Sequence, residues 1–270
     1  MARPAALRSR IVHGVTRFAK IRGMTGGDVF VQVAAGAARK LDAPPWSGGE
    51  VDAELPSMGA ALCPARPSKI LCVGRNYRAH AAELGKDVPV EPLFFFKPVS
   101  ALLDPGGVVL LPPESERVEY EGELAVIIGR RARRVAAEDA MRHVFGYTLA
   151  CDVTARDLQK RDGQWTRAKG FDTFCPLGPS IDTDLDLSAG ILELSVNGEV
   201  RQHSALSNMV FSVAEIIARG SAVMTLEPGD VLLTGTPEGV GPLNDGDQVE
   251  IRCTGLESLA FSVAREPLAT

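Results

Sequence analysis

From residue 69 onward the chain is a succession of short apolar runs, each closed by a turn-former, which is the pattern of strands rather than long helices. Residues 69–73 end at Gly74, Leu93-Phe94-Phe95-Phe96 lies between Pro92 and Pro98, and residues 108–111 stop at Pro112-Pro113. Residues 124–128 end at Gly129. Residues 191–201 alternate around Asn197-Gly198, a dipeptide that tolerates positive φ and so predicts a tight hairpin. Residues 231–233 and 249–252 follow the turn signals Pro228-Gly229-Asp230 and Asn244-Asp245-Gly246-Asp247. Helical spacing is rarer. It predicts a short helix over 77–84 ending at Gly85, a second over 136–144, and an amphipathic one over 209–218 ending at Gly220. Irregularly spaced strands with few helices predict an α+β, β-rich roll or barrel rather than alternating βαβ units.

The first 60-odd residues differ. Residues 29–33 read as a strand, small residues follow, and Pro44-Pro45-Trp46-Ser47-Gly48-Gly49 breaks the pattern. Two prolines in Cys63-Pro64-Ala65-Arg66-Pro67 favour extended backbone at an element boundary. The division expected is a small β-rich lobe over 1–65 and a larger body over 66–270. There are no internal repeats and no low-complexity tract.

A 270-residue chain that is 45% hydrophobic and 23% charged can bury a core without staples. Its net charge of −5 argues against a general nucleic-acid binder, and no apolar run reaches the roughly 18 residues of a membrane span. Residues 1–27 hold five Arg, one Lys and no acid, a bias that resembles an organellar transit peptide. Arg outnumbers Lys throughout, 22 to 7, so part of that bias is background, and no apolar stretch of secretory length follows. Cys63, Cys72, Cys151, Cys175 and Cys253 are odd in number and never spaced as a CxxC pair. They read as reduced, buried thiols of a cytoplasmic protein.

The candidate chemistry lies in Val118-Glu119-Tyr120-Glu121-Gly122-Glu123, which runs directly into Leu124-Ala125-Val126-Ile127-Ile128. On a strand, residues two apart share a face, so the three glutamates would stack as like charges. Such a stack needs either a cation or full exposure at a solvated strand edge, and the apolar continuation argues for burial. Asp152 closes a second apolar strand, in Gly146-Tyr147-Thr148-Leu149-Ala150-Cys151-Asp152, and can supply a third oxygen ligand. Ligation by carboxylates alone favours Mg²⁺, with Mn²⁺ or Ca²⁺ as alternatives, over Zn²⁺. His80 and Glu83 lie three apart on the short helix, close enough to share a hydrogen bond that fixes the imidazole tautomer.

In these residues the chain resembles the fumarylacetoacetate hydrolase superfamily. The matching pieces, in order, are GRNYRAHAAELG, FFFKP, YEGELAVIIG, GYTLACDVTARDLQ, WTRAKGFDTFCPLGP, VNGEVRQ and MTLEPGDVLLTGTPEGVGPL, about two thirds of the chain. The resemblance implies a mixed β-roll that usually dimerises, and a metal held by Glu121, Glu123 and Asp152, which leaves Glu119 outside the ligand set. It implies a water-activating role for His80 with Glu83, and an active-site ammonium at Lys169. Gln159, Arg156 and Thr236 would bind substrate, with Arg75, Tyr77 and Lys97 as carboxylate or structural contacts, while His13, His143 and His203 have no partner like Glu83 and read as structural or exposed. Gly235 to Gly241 lacks the Gly-Lys-Ser/Thr ending of a phosphate loop and reads as a loop shaping the site.

The activity so implied is metal-dependent hydrolysis of C–C bonds in acylpyruvate-like 2-oxo acids. Decarboxylation of oxaloacetate-like acids or isomerisation of hydroxy-dienedioates is the near alternative. A non-catalytic protein that binds small acids is the remote one.

Overall fold

The computed structural model describes residues 17–22, 27–34, 37–55 and 59–267. The basic start before residue 17, and with it His13, lies outside the described residues. The architecture is strand-rich α+β, as the apolar runs predict. Its largest sheet runs from Val51–Glu54 through Ala37–Leu41, Asp28–Ala34 and Arg17–Arg22 to Cys175–Asp182, then Val144–Cys151, Gly122–Ile128, Val231–Leu233, Ile70–Gly74 and Leu93–Lys97. Neighbours in this order are antiparallel except Val231–Leu233 and Ile70–Gly74, which run parallel. A five-stranded sheet, built around the hairpin Ile191–Val196 and Glu199–Ala205, packs against it. That hairpin turns at Asn197 and Gly198, both with positive φ, as the Asn-Gly signal predicts.

Strands of the first 65 residues extend the main sheet, where Arg17–Arg22 pairs with Cys175–Asp182. They also carry a small core of their own, Ala19, Ile21 and Val31. The main core is continuous through the rest of the chain, and its central strand, Gly122–Ile128, is buried at every position. All five cysteines are free and buried.

The helices are α1 (Arg78–Glu83), α2 (Ala137–Ala140), α3 (Arg156–Asp162), α4 (Thr166–Lys169) and α5 (Val213–Val223). Among the described residues no helix is long and apolar enough to cross a membrane. α1 and α2 fall inside the predicted ranges, but α5 does not. It begins after a capping box at Ser212, whose hydroxyl accepts from the Glu215 amide while Glu215 accepts from the Ser212 amide, and it runs through Gly220 to Val223. Val210 lies outside it because its amide donates to the Asn76 carbonyl. Gly220 is held in the helix because its open face receives Leu71, a close approach that a side chain there would crowd.

Candidate active site and metal centre

The three expected ligands meet because Gly122–Ile128 and Val144–Cys151 pair antiparallel, with Gly122 opposite Cys151. One residue beyond that pair, Asp152 donates its amide to the Glu121 carbonyl at 2.8 Å. The end of one strand therefore lies beside the start of the other. Glu121, Glu123 and Asp152 are all buried, and each offers an oxygen within 4.8 Å of the others.

The glutamates do not stack on one continuous strand as expected. The chain breaks at Glu121, between the strands Val118–Tyr120 and Gly122–Ile128. Nor is the row a solvated edge, since all three are buried. Glu119 accepts from Arg117 Nε and Arg156 Nε at 2.6 Å each, and is taken up by guanidinium groups rather than by the carboxylate cluster. Arg156 also donates to Glu121 Oε1 at 2.6 Å and to Gln159 Oε1 at 2.7 Å, so it braces Glu121 from the first turn of α3.

Two lysines hold the two oxygens of Asp152. Lys169, at the end of α4, reaches Asp152 Oδ2 at 2.6 Å and Glu121 Oε2 at 2.8 Å. Lys97, at the end of its strand, reaches Asp152 Oδ1 at 2.8 Å and the Val153 carbonyl at 3.0 Å. Burial works against the Lys169 charge, but Asp152 and Glu121 outweigh it and push its pKa up to about 12. Burial likewise works against ionised Glu121, yet Lys169, Arg156 and His80 hold its carboxyl well below the usual carboxylate range.

Glu123 has the opposite balance. Among the described residues it has no ion-pair partner, and its one strong contact is the Gly235 amide, 2.6 Å from Oε2. Burial first, then the charges of Asp152 and Glu121, push its carboxyl well above the usual range. Four buried carboxylates (Glu119, Glu121, Glu123 and Asp152) thus face three buried cations, Lys97, Arg156 and Lys169. Arg117 adds charge only at Glu119, from a largely exposed position. The missing positive charge lies where the three ligand oxygens converge. A hard divalent cation fits that donor set and supplies the charge that an ionised Glu123 would need.

This imbalance sets a pH dependence. The metal-free native chain keeps the Glu123 proton at pH values where an unfolded glutamate, with a pKa of about 4.3, has lost it. The associated stabilisation is complete below the unfolded value and is lost as pH rises through the folded one. Melting of chelator-treated protein is expected to show this fall in Tm with rising pH, and Glu123→Gln is expected to lack it. Mn²⁺ uptake should release a proton, measurable by calorimetry in buffers of different ionisation enthalpy. Identical pH slopes for the two proteins would refute the assignment.

A cavity of about 440 Å³ opens over Glu121 and Glu123. His80, Lys169, Arg156, Gln159 and Thr236 all line it, while Asp152 and Lys97 are buried and outside its lining. Phe95 and Trp165 pack edge to face at 5.0 Å and supply the apolar side, with the Lys169 ammonium 5.0 Å from the Phe95 ring. Arg75, Lys86 and Lys160 add positive charge to the lining, which suits an anionic ligand. His80 Nδ1 lies 3.2 Å from Glu83 Oε2, so the spacing of three does bring the pair together. His143 and His203 are not without partners: His143 Nδ1 lies 3.2 Å from the Arg130 carbonyl and His203 Nδ1 3.4 Å from Glu193 Oε2, both away from the cavity.

Two buried amides that the sequence did not single out organise the site. Gln202 accepts from the Gly122 amide and donates to the Thr236 hydroxyl and the Pro237 carbonyl. Asn76 donates to the carbonyls of Thr234 and Phe211 and accepts from the Phe211 amide. It thereby joins the approach to α1 with the start of the glycine loop. Gly235 has φ +94°, and a Cβ there would lie 2.7 Å from the Asn76 Cβ, so the loop can pass this close only as glycine. The Thr236 hydroxyl, already donating to the Gly122 carbonyl at 2.9 Å, is tied to the frame of the site.

The family model for the fumarylacetoacetate (FAA) hydrolase C-terminal region matches residues 69–264. The mitochondrial oxaloacetate tautomerase FAHD1 of Arabidopsis thaliana is 46% identical over 204 residues, covering 73% of this chain and 92% of that protein. The crystal structure of 5-carboxymethyl-2-hydroxymuconate delta-isomerase from Mycobacterium smegmatis superposes with a TM-score of 0.84 at 42% identity, over 93% of this chain and 99% of that one. Fumarylpyruvate hydrolase from Pseudomonas aeruginosa, solved in complex with Mn²⁺ and pyruvate, gives 0.69 at 37% identity, over 76% and 91%.

Proposed function

The chain belongs to the fumarylacetoacetate hydrolase family, and on that premise we propose that it is a divalent-metal-dependent hydrolase of acylpyruvate-like 2-oxo acids. The observation that carries this reading is the convergence of Glu121, Glu123 and Asp152 under a cavity that also holds His80 and Lys169. The family includes hydrolase, decarboxylase, tautomerase and isomerase members, so the premise supports an enzyme without choosing the reaction.

Glu121, Glu123 and Asp152 would hold the cation, Mg²⁺ or Mn²⁺. When bound, such an ion acts as a Lewis acid toward a 2-oxo acid and stabilises the negative charge that cleavage leaves on it. The chain supplies the rest. Glu83 orients His80, whose free nitrogen takes a proton from water as the oxygen adds to the distal carbonyl. The C–C bond then breaks, its electron pair passes to the pyruvyl fragment as an enolate, and protonation of that carbon gives pyruvate and a carboxylic acid. The Lys169 ammonium would face the oxygen that gains charge, and in the metal-free chain Asp152 and Glu121 push its pKa up to about 12. Arg156, Gln159 and Thr236, with the cationic lining, would hold the substrate carboxylate.

A second reading is oxaloacetate tautomerisation or decarboxylation, or isomerisation of a hydroxy-dienedioate. It uses the same cation and Lys169 but needs no water attack, and it is favoured by the tautomerase and isomerase named above. Turnover of acylpyruvates, oxaloacetate and hydroxy-dienedioates, each with Mg²⁺ and with Mn²⁺, separates the two. His80→Ala is expected to lower acylpyruvate hydrolysis by about 10²–10⁴-fold, the usual worth of a general base, while sparing most tautomerisation or decarboxylation. Equal losses on all substrates would contradict a separate water-activating role, and full activity in EDTA would contradict the metal.

A further inference from the structure

The Glu83 carboxylate has two partners. Its Oε2 lies 3.2 Å from His80 Nδ1, and its Oε1 accepts the Gly239 amide at 3.0 Å. The His80 ring is almost wholly buried, whereas a third of the Glu83 side chain is exposed. A long glutamate, a third of it exposed, loses side-chain entropy when it is ordered, and a single contact to an imidazole offsets little of that. The second anchor therefore decides where the carboxylate sits.

That anchor is itself fixed. Gly239 has φ +94°, and a Cβ there would stand 2.0 Å from the Arg201 carbonyl oxygen, so the loop can present this amide only as glycine. The preceding residues are tied down by Gln202, which donates to the Thr236 hydroxyl at 2.7 Å and the Pro237 carbonyl at 2.8 Å. Four residues earlier, the same loop donates its Gly235 amide to Glu123 Oε2 at 2.6 Å. One segment thus places a backbone donor on a carboxylate of the metal cluster and another on the carboxylate that faces His80.

We propose that the Gly239 amide is a positioning group: it holds Glu83 so that Glu83 accepts from His80 Nδ1–H and leaves Nε2 as the proton acceptor. The assignment rests on reading His80 as the water-activating base, but its resting-state consequence can be measured without any substrate. The carboxylate at Oε2 selects the Nδ1–H tautomer only while it is held in the ring plane, and releasing Oε1 removes that hold.

The test is the ¹⁵N chemical shifts of His80 in Mg²⁺-loaded protein, assigned by comparison with His80→Ala, together with steady-state kinetics on an acylpyruvate. Wild-type protein is expected to show the Nδ1–H tautomer. Gly239→Ala should shift His80 toward Nε2–H and lower kcat about ten- to a hundredfold, the usual cost of losing an outer hydrogen-bond partner, with little change in KM. Val240→Ala, in the same loop, should do neither. Because the Gly239→Ala clash can unfold the loop, Glu83→Asp is the second arm. Its carboxylate keeps the charge, is one methylene too short to span both partners, and sits at a half-exposed position that does not threaten the fold. The same tautomer shift and kcat loss are expected. A wild-type tautomer in folded Glu83→Asp, or an Nε2–H tautomer in the wild type, overturns the proposal. Failure of the functional reading looks different, because acylpyruvate hydrolysis would then be absent from the wild type or survive His80→Ala, whatever the tautomer.

Discussion

Glu123→Gln is expected to abolish divalent-cation binding and to lower activity by about a thousandfold, since a Lewis-acidic ion contributes several kcal/mol to the barrier and each 1.36 kcal/mol is tenfold. The same substitution is expected to raise the Tm of the metal-free protein at alkaline pH. Both follow from one fact: Glu123 is the buried carboxylate of the cluster for which the described residues supply no cation. An amide oxygen still accepts the Gly235 amide at that position, and the repulsion from Asp152 and Glu121 disappears. Loss of function with a gain in stability is the signature of a residue kept for its ligand rather than for the fold. Mn²⁺ titration by electron paramagnetic resonance and thermal melting at pH 9 measure the two halves. Retained Mn²⁺ binding, or a lower alkaline Tm, would remove Glu123 from the ligand set. Glu119→Gln is the control, since Glu119 is spent on Arg117 and Arg156 and should leave Mn²⁺ binding far less affected.

The strands that were legible are bounded by local chemistry; Arg17–Arg22, Cys175–Asp182 and Leu259–Arg265 were not among them. The paired prolines around Leu93-Phe94-Phe95-Phe96 and the Asn-Gly turn needed no tertiary information. The start of α5 was not legible from periodicity, which counts Met209 and Val210 as one apolar face with Val213, Ile216 and Ile217. The Ser212–Glu215 capping box was the available signal, and the bonds from the 210–211 backbone to Asn76, more than 130 residues away in sequence, settle the matter. The carboxylate trio was legible as residue types at two strand ends. Its electrostatics were not, because whether Glu119 or Glu123 lacks a cation depends on where Arg156, Lys97 and Lys169 arrive from other elements. Gln202, Asn76 and Gly239 act on partners far away in sequence, through backbone groups that no motif of side chains records.

Lys97→Met is expected to cost the metal-free protein about 3–5 kcal/mol, because it removes one partner of a fully buried ion pair and leaves Asp152 with Lys169 alone. For a chain of this size that is a fall in Tm of about 10 °C. The position differs from Lys169 although both ammonium groups reach the same aspartate. Lys97 has no exposed side-chain surface, does not line the cavity, and donates a second bond to the Val153 carbonyl. Lys169 lines the cavity and bridges Asp152 to Glu121. Saturating Mn²⁺ should restore much of the Lys97→Met deficit, since a bound cation supplies Asp152 with the positive charge the variant lacks and stabilises the folded state by linkage. Activity at saturating Mn²⁺ should then remain within about an order of magnitude of wild type, as befits a residue that acts on geometry rather than on the substrate. Lys169→Met should show the reverse, folding with Mn²⁺ present but not turning over. Melts of both variants with and without Mn²⁺, read beside kcat, decide the division of labour. A Lys97→Met deficit that Mn²⁺ leaves untouched, or an activity loss equal to that of Lys169→Met, would show that the two lysines are not a structural and a chemical partner of one carboxylate.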